Sequence, residues 1–194
     1  MLVRNLIAAA LLACAAPAAW AAEIEGVQLE DRIAPGASGQ ELLLNGAGLR
    51  TRFFFDVYVA GLYLAQKQTA AAEAIALPGA KRVALRLLRN VSAKTLLDAL
   101  NEGMQANNSA AELEALKTQL GELAALMNAI GEAKKGDSVA LDFDPQSGTR
   151  VSLNGKELGK PIAGAEFYRA LLRVWLGDKP VQDSLKRGLL GAPQ

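Results

Sequence analysis

The chain has 194 residues, with 21 Lys plus Arg against 20 Asp plus Glu, so no overall field selects nucleic acid or an acidic membrane. It has no histidine and one cysteine, Cys14. That excludes Ser-His triads, His-Cys metal sites, histidine acid–base chemistry and internal disulfides; an all-carboxylate metal site stays open, but no ligand spacing suggests one.

Residues 1–21 read as a secretory signal peptide. Arg4 supplies the positive start, Leu6 to Ala16 the apolar stretch, and Ala19-Trp20-Ala21 an A-x-A cleavage site. The apolar stretch is too short to span a membrane and Pro17 breaks it as a helix. The domain then begins at Ala22 and runs to Gln194 without a cysteine, and the expected location is the periplasm. Leu11-Leu12-Ala13-Cys14 is a competing lipoprotein box, in which Cys14 carries a lipid anchor. Roughly 170 residues remain, enough for one domain with its own core.

Alternation predicts a first strand over Glu23 to Leu29, turn chemistry at Pro35-Gly36-Ala37-Ser38-Gly39, and a short strand from Glu41 to Leu44 closed by Asn45-Gly46. Arg52 to Leu64 is a long strand with a bulge or bend at Gly61. Phe53, Phe55, Val57 and Val59 form its expected core face; Phe54, Asp56, Tyr58 and Ala60 form a mixed face. Arg82 to Arg89 is another strand. Ser92 caps a helix over Ala93 to Ala106, and Ser109-x-x-Glu112 is a capping box for a second. Leu113, Leu116, Leu120, Leu123, Met127 and Ile130 make one apolar stripe, expected against the sheet, ending at Gly131. Ser138 to Phe143 with Thr149 to Leu153, then Lys156 to Leu158, read as two hairpins. Gly164 to Gly177 and Val181 to Leu190 read as helices, with Phe167 and Trp175 in the core. Strands and helices are segregated along the chain, which predicts an α+β fold with an antiparallel sheet.

Three segments carry a resemblance: Gly46-Ala47-Gly48-x-Arg50, then Gly61-Leu62-Tyr63-Leu64, then Leu176-Gly177-Asp178-Lys179-Pro180-Val181 running to Leu185-Lys186-Arg187. In this order they resemble the chalcone isomerase fold family, most closely its bacterial, signal-bearing chalcone isomerase-like branch. The resemblance implies an open-faced β-sandwich, an antiparallel sheet covered by helices on one face.

In the plant enzyme of that family, the arginine after the Gly-x-Gly turn orients the substrate phenolate, and Arg50 matches it. The enzyme's strand threonine falls on Tyr58, its helix asparagine on Asn101 or Glu102, and its specificity threonine near Val174. The helix over Ala93 to Ala106 has no tyrosine where the enzyme has one. Ring closure needs a placed phenolate, a proton donor and a shaped pocket, so losing these partners argues against chalcone cyclisation. Plant members of this fold without isomerase activity bind fatty acids, with the arginine and a tyrosine on the carboxylate, and Arg50 with Tyr58 resembles that arrangement.

The expected reading is a binding module for a small amphipathic carboxylate, such as a fatty acid. Arg50, Tyr58 and Asn101 are its candidate ligand-binding residues; no catalytic residue, metal, cofactor, nucleic-acid partner or transmembrane span is expected. Two other classes stay open: an intramolecular lyase or isomerase on a phenolic or enone substrate, and an assembly protein with a collapsed cleft. For Arg50 the competing fates are a solvated charge after a turn or an ion pair with Asp56, and Arg52, two residues on, is its rival. Asp142 and Asp144 flank Phe143 and are expected in a solvated turn rather than on a metal.

Overall fold

The computed structural model describes residues 20–35 and 39–192. The leader through Ala19, the lipoprotein box at Cys14 and most of the Pro35–Gly39 turn lie outside the described residues. The strands are β1 (Trp20–Ile24), β2 (Val27–Glu30), β3 (Arg32–Ile33), β4 (Leu42–Arg52), β5 (Phe55–Leu64), β6 (Lys81–Leu87), β7 (Val91–Ser92), β8 (Glu132–Ala133), β9 (Ser138–Asp144), β10 (Gly148–Leu153) and β11 (Lys156–Ile162). The helices are α1 (Ala71–Ala76), α2 (Ala93–Asn107), α3 (Ala110–Ala115), α4 (Lys117–Asn128), α5 (Ala165–Leu176) and α6 (Asp183–Leu189).

Seven strands form one antiparallel sheet in the order β11-β10-β9-β6-β5-β4-β3. One face carries the main core, where Tyr58, Ala60, Leu62 and Leu64 of β5 meet Leu100 and Met104 of α2, Leu123 and Met127 of α4, and Phe167, Leu171 and Trp175 of α5. Each such side chain taken from water contributes about 1.5–3 kcal/mol, which holds the helix layer on the sheet. The other face packs Val59 and Tyr63 under the β1–β2 hairpin, with Leu42, Leu44 and Ala47 of β4. The α+β open-faced sandwich expected from the sequence is the observed architecture.

Capping chemistry sets the starts of α2 and α3. Ser92 Oγ accepts from Thr95 N at 3.1 Å, and the Ser109–Glu112 capping box closes in both directions. The stripe from Leu113 to Ile130 packs as expected, with Leu116, Leu123 and Met127 buried, although the helix breaks at Leu116. Asp142, expected in a solvated turn, is instead buried within β9 and pairs with Arg82, with Nη2 to Oδ2 at 2.7 Å, while Asp144 accepts from Gln146 N and Ser147 N in the β9–β10 turn.

Four further expectations are corrected. The first strand is a hairpin, because Glu25 and Gly26 take φ of 49° and 72°, the left-handed pair a tight turn needs. In that hairpin Ala22, Glu23 and Ile24, which follow the expected cleavage after Ala21, pair with Leu29, Gln28 and Val27.

Asn45-Gly46 is not a turn but the interior of an eleven-residue strand. Asn45 is the extra residue of a bulge, since Leu44 faces Tyr63 while Gly46 faces Leu62. Its side chain is spent on Leu189 O, Gln68 O and Gln68 N. Gly46 is there for closeness: a Cβ on it would lie 2.2 Å from Gly188 O of α6.

The bend expected at Gly61 is likewise displaced, because β5 pairs with β6 in unbroken register from Tyr58 to Leu64.

Finally, Phe53 and Phe55, expected in the core, are exposed, and Phe53 with Phe54 forms the turn between β4 and β5. The face of β5 expected to be mixed packs against the helices instead.

Candidate functional site

Two bulges aim the site. Before the bulge at Asn45, the even residues Leu42 and Leu44 face the β1–β2 hairpin; after it, the odd residues Ala47 and Leu49 do. The one-residue shift turns Gly46, Gly48 and Arg50 toward the helices. A second register shift leaves Val57 unpaired, because Arg50 faces Tyr58 while Thr51 faces Asp56. Arg50 and Tyr58 are therefore cross-strand partners on the helix side.

Both line a cavity of about 310 Å³ between the sheet and the helices. Its buried wall comes from Leu85 and Leu141 of the sheet, Leu100 of α2, Met127 of α4, and Val174 and Trp175 of α5. The opening is rimmed by exposed residues, with Arg52, Phe53 and Phe55 at the β4–β5 turn and Arg89 and Asn90 after β6. Arg50, Arg52, Arg89 and Asn90 and the hydroxyl side chains of Tyr58, Ser92 and Thr95 line the space, and no lining residue is acidic.

Arg50 is half-buried. Its Nη1 donates to Thr51 O at 2.9 Å and to Gln182 Oε1 at 3.1 Å, both neutral acceptors. Its Nε and Nη2 have no partner among the described residues, and no carboxylate there pairs with it. Asp56, the rival neutraliser, accepts instead from Thr51 Oγ1 at 3.1 Å and is exposed. The edge of the guanidinium that fits a carboxylate in two parallel bonds is thus uncommitted.

Tyr58 is buried and its hydroxyl oxygen accepts from Trp175 Nε1 at 3.2 Å. Burial pushes its pKa up, and the Trp175 bond and the Arg50 charge only partly oppose this, so the phenol keeps its proton at neutral pH. That proton has no acceptor among the described residues, so the phenol can donate to an anion held by Arg50.

Asn101 does not join them. The α2 residues on the cavity are Thr95, Leu96, Ala99 and Leu100, one helix face at i, i+1, i+4 and i+5. Asn101 lies one helical step beyond Leu100 and turns off that face. Glu102 is also absent from the lining. Arg52 reaches the rim, and its side chain is exposed.

Gln182, which sequence reasoning missed, organises the arginine. It stands immediately before α6; its Oε1 takes Thr51 N at 2.9 Å as well as Arg50, and its Nε2 donates to Leu49 O at 3.1 Å and Ser184 Oγ at 2.6 Å. One amide thus fixes three consecutive residues of β4. The only signal was indirect, since Gln182 sits inside the 176–187 segment whose motif had been noted. That loop is tied to α2 by Asn107, whose Oδ1 accepts from Lys179 N at 2.8 Å and whose Nδ2 donates to Lys179 O at 2.7 Å.

Comparison with known proteins bears on this geometry. No curated protein matches the chain. Among solved structures, the Arabidopsis thaliana fatty-acid binding protein superposes with a TM-score of 0.63 at 16% identity, covering 85% of this chain and 92% of that one. At that identity the likeness is one of fold. A family model described as chalcone isomerase-like matches residues 21–191. The chain belongs to the chalcone isomerase-like family.

Proposed function

We propose that the protein is a non-catalytic carrier that holds a small amphipathic carboxylate, such as a fatty acid, in the cavity beside Arg50. One observation carries this reading: an apolar cavity contains a guanidinium that no carboxylate among the described residues neutralises, next to a buried, protonated phenol. Arg50 supplies the anion contact and Tyr58 a hydrogen bond, while Leu100, Met127, Leu141 and Val174 take the tail. A charge-assisted bond contributes about 1.5–3 kcal/mol, and each buried CH₂ adds about 0.8 kcal/mol. The fold neighbour from Arabidopsis thaliana, named as a fatty-acid binding protein, supports the same choice of ligand. Isomerase chemistry has less to work with, because the wall near the expected specificity threonine is Val174 and the α2 face on the cavity carries no tyrosine.

The leader at residues 1–21 supports a periplasmic location, with anchoring through Cys14 as the alternative. The function is tested by gentle extraction of the purified protein followed by mass spectrometry of the extract. Fatty acid is expected with the wild type and absent from Arg50→Ala at equal folded protein. Equal lipid in both, or none in either after reloading with dodecanoate, rejects the proposal.

A further inference from the structure

The β4–β5 turn is the most unusual surface of the molecule. Phe53, Phe54 and Phe55 are 83%, 96% and 57% exposed, three consecutive large apolar side chains in water. The fold does not need them. Phe53 holds φ at 58°, the left-handed region where Asn or Gly forms a tight turn at lower cost. A bulky aromatic kept there has a use other than turning the chain.

The turn is also cationic. Arg52 lies over the Phe53 ring at 5.9 Å, and Arg89, from the loop after β6, lies over the Phe55 ring at 4.5 Å. Asp56 is the acid beside the turn, and it is engaged by Thr51. The whole chain is nearly neutral, so this positive charge is a local feature of the turn.

We infer that the β4–β5 turn docks on anionic bilayers: Phe53 and Phe54 enter the lipid interface while Arg52 and Arg89 pair with headgroup phosphates. A protruding hairpin tip presents its rings on a convex point, which a soft interface accepts and a rigid protein surface must be hollowed to receive. Aromatic rings beside cations suit the headgroup boundary, where the rings leave water and the charges meet phosphate. Arg52, Phe53 and Arg89 also rim the cavity, so docking turns its opening toward lipid. The docking stands on the turn itself; that the docked opening loads a lipid carboxylate rests on the function proposed above.

Phe54 is not a lining residue of the cavity, which makes it the clean probe. The purified protein is co-sedimented with vesicles of phosphatidylcholine alone and of phosphatidylcholine mixed with phosphatidylglycerol. Wild type is expected on the mixed vesicles, released by salt, with Phe54→Ser binding about tenfold or more weakly. Phe54→Trp is expected to blue-shift its emission on the mixed vesicles and to be quenched by brominated lipid, a readout that is independent of any anchor elsewhere in the chain. Dodecanoate affinity in vesicle-free buffer is expected to be unchanged in Phe54→Ser, so loss of docking and loss of the ligand site read out separately. Equal vesicle binding by Phe54→Ser together with an unshifted Phe54→Trp spectrum overturns the inference. So does a wild-type dimer in vesicle-free buffer that Phe54→Ser dissolves while the indole stays unquenched, since the turn is then a self-association surface.

Discussion

Arg50 owes its availability to being held by amides rather than acids. Gln182 and Thr51 O orient the guanidinium through Nη1 without cancelling its charge. Titration of other buried side chains gives the fold a distinctive alkaline profile. Lys81 is 3% exposed, its ammonium bonded to Leu77 O, and burial with the nearby Arg169 charge lowers its pKa from 10.5 to about 8. Tyr63 is buried, and its pKa rises from 10.0 to about 12 through burial and the Glu30 charge; Tyr58 is raised as well. Between pH 8 and 10.5 the unfolded chain keeps a lysine proton that folded Lys81 has shed, so stability rises with pH there. Above pH 10 the unfolded tyrosines lose protons that the folded ones hold, so stability falls toward pH 12. Urea midpoints across this range are expected to rise and then fall, and Lys81→Met is expected to remove the rise and keep the fall. An unchanged rise in Lys81→Met refutes the assignment.

At the scale of elements, glycine placement makes the strongest packing demand. Gly46 lets α6 cross β4 closely enough for Gln182 to reach Arg50, and an added Cβ meets the Gly188 and Leu189 carbonyls at 2.2 and 2.7 Å. Backbone cannot rotate aside as a side chain can, so Gly46→Ala is expected to cost about 1–3 kcal/mol or more. Gly121 is the contrast, exposed inside α4 with nothing within 4 Å of an added Cβ. Gly121→Ala is expected to stabilise by about 0.5–1 kcal/mol through helix propensity and a less free unfolded chain. Urea unfolding of the two variants measures both, and a neutral Gly46→Ala contradicts the close crossing. Caps at Ser92 and Ser109, the stripe through Met127 and the Asn154-Gly155 hairpin were legible because their signals are local. Asn45-Gly46 has the composition of a turn, yet a helix more than 140 residues away converts it to a bulge. Phe53-Phe54 has the composition of a strand, yet it turns. Gln182 carries no local signal at all, since its role is fixed by which strand lies beside it.

For the molecule as a whole, the cavity is where packing stops, and no residue pattern spells out a void; of the residues expected to hold a ligand, Arg50 and Tyr58 line it and Asn101 does not. Its size sets the ligand. An apolar cavity of about 150 Å³ takes one benzene, so about 310 Å³ takes about a dozen carbon-sized atoms. Each CH₂ that enters adds about 0.8 kcal/mol, or about fourfold in affinity, and each one left outside adds little. Across straight-chain acids from hexanoate to hexadecanoate, affinity is expected to climb at that rate, then flatten near dodecanoate as the tail fills the space and emerges past Phe53 and Phe55. Binding to the folded state alone stabilises it by about 2.7 kcal/mol when ligand is a hundredfold above Kd, a rise in melting temperature of about 5–10 °C for a domain of this size. Thermal unfolding with each acid and its matching alcohol separates the two halves of the site. The wild type is expected to prefer the acid by about tenfold or more, and Arg50→Ala to bind acid and alcohol alike while keeping the same dependence on chain length. A wild type indifferent to the carboxylate would mean that the guanidinium is not used. Affinity that ignores tail length would mean that the cavity is not where the ligand sits.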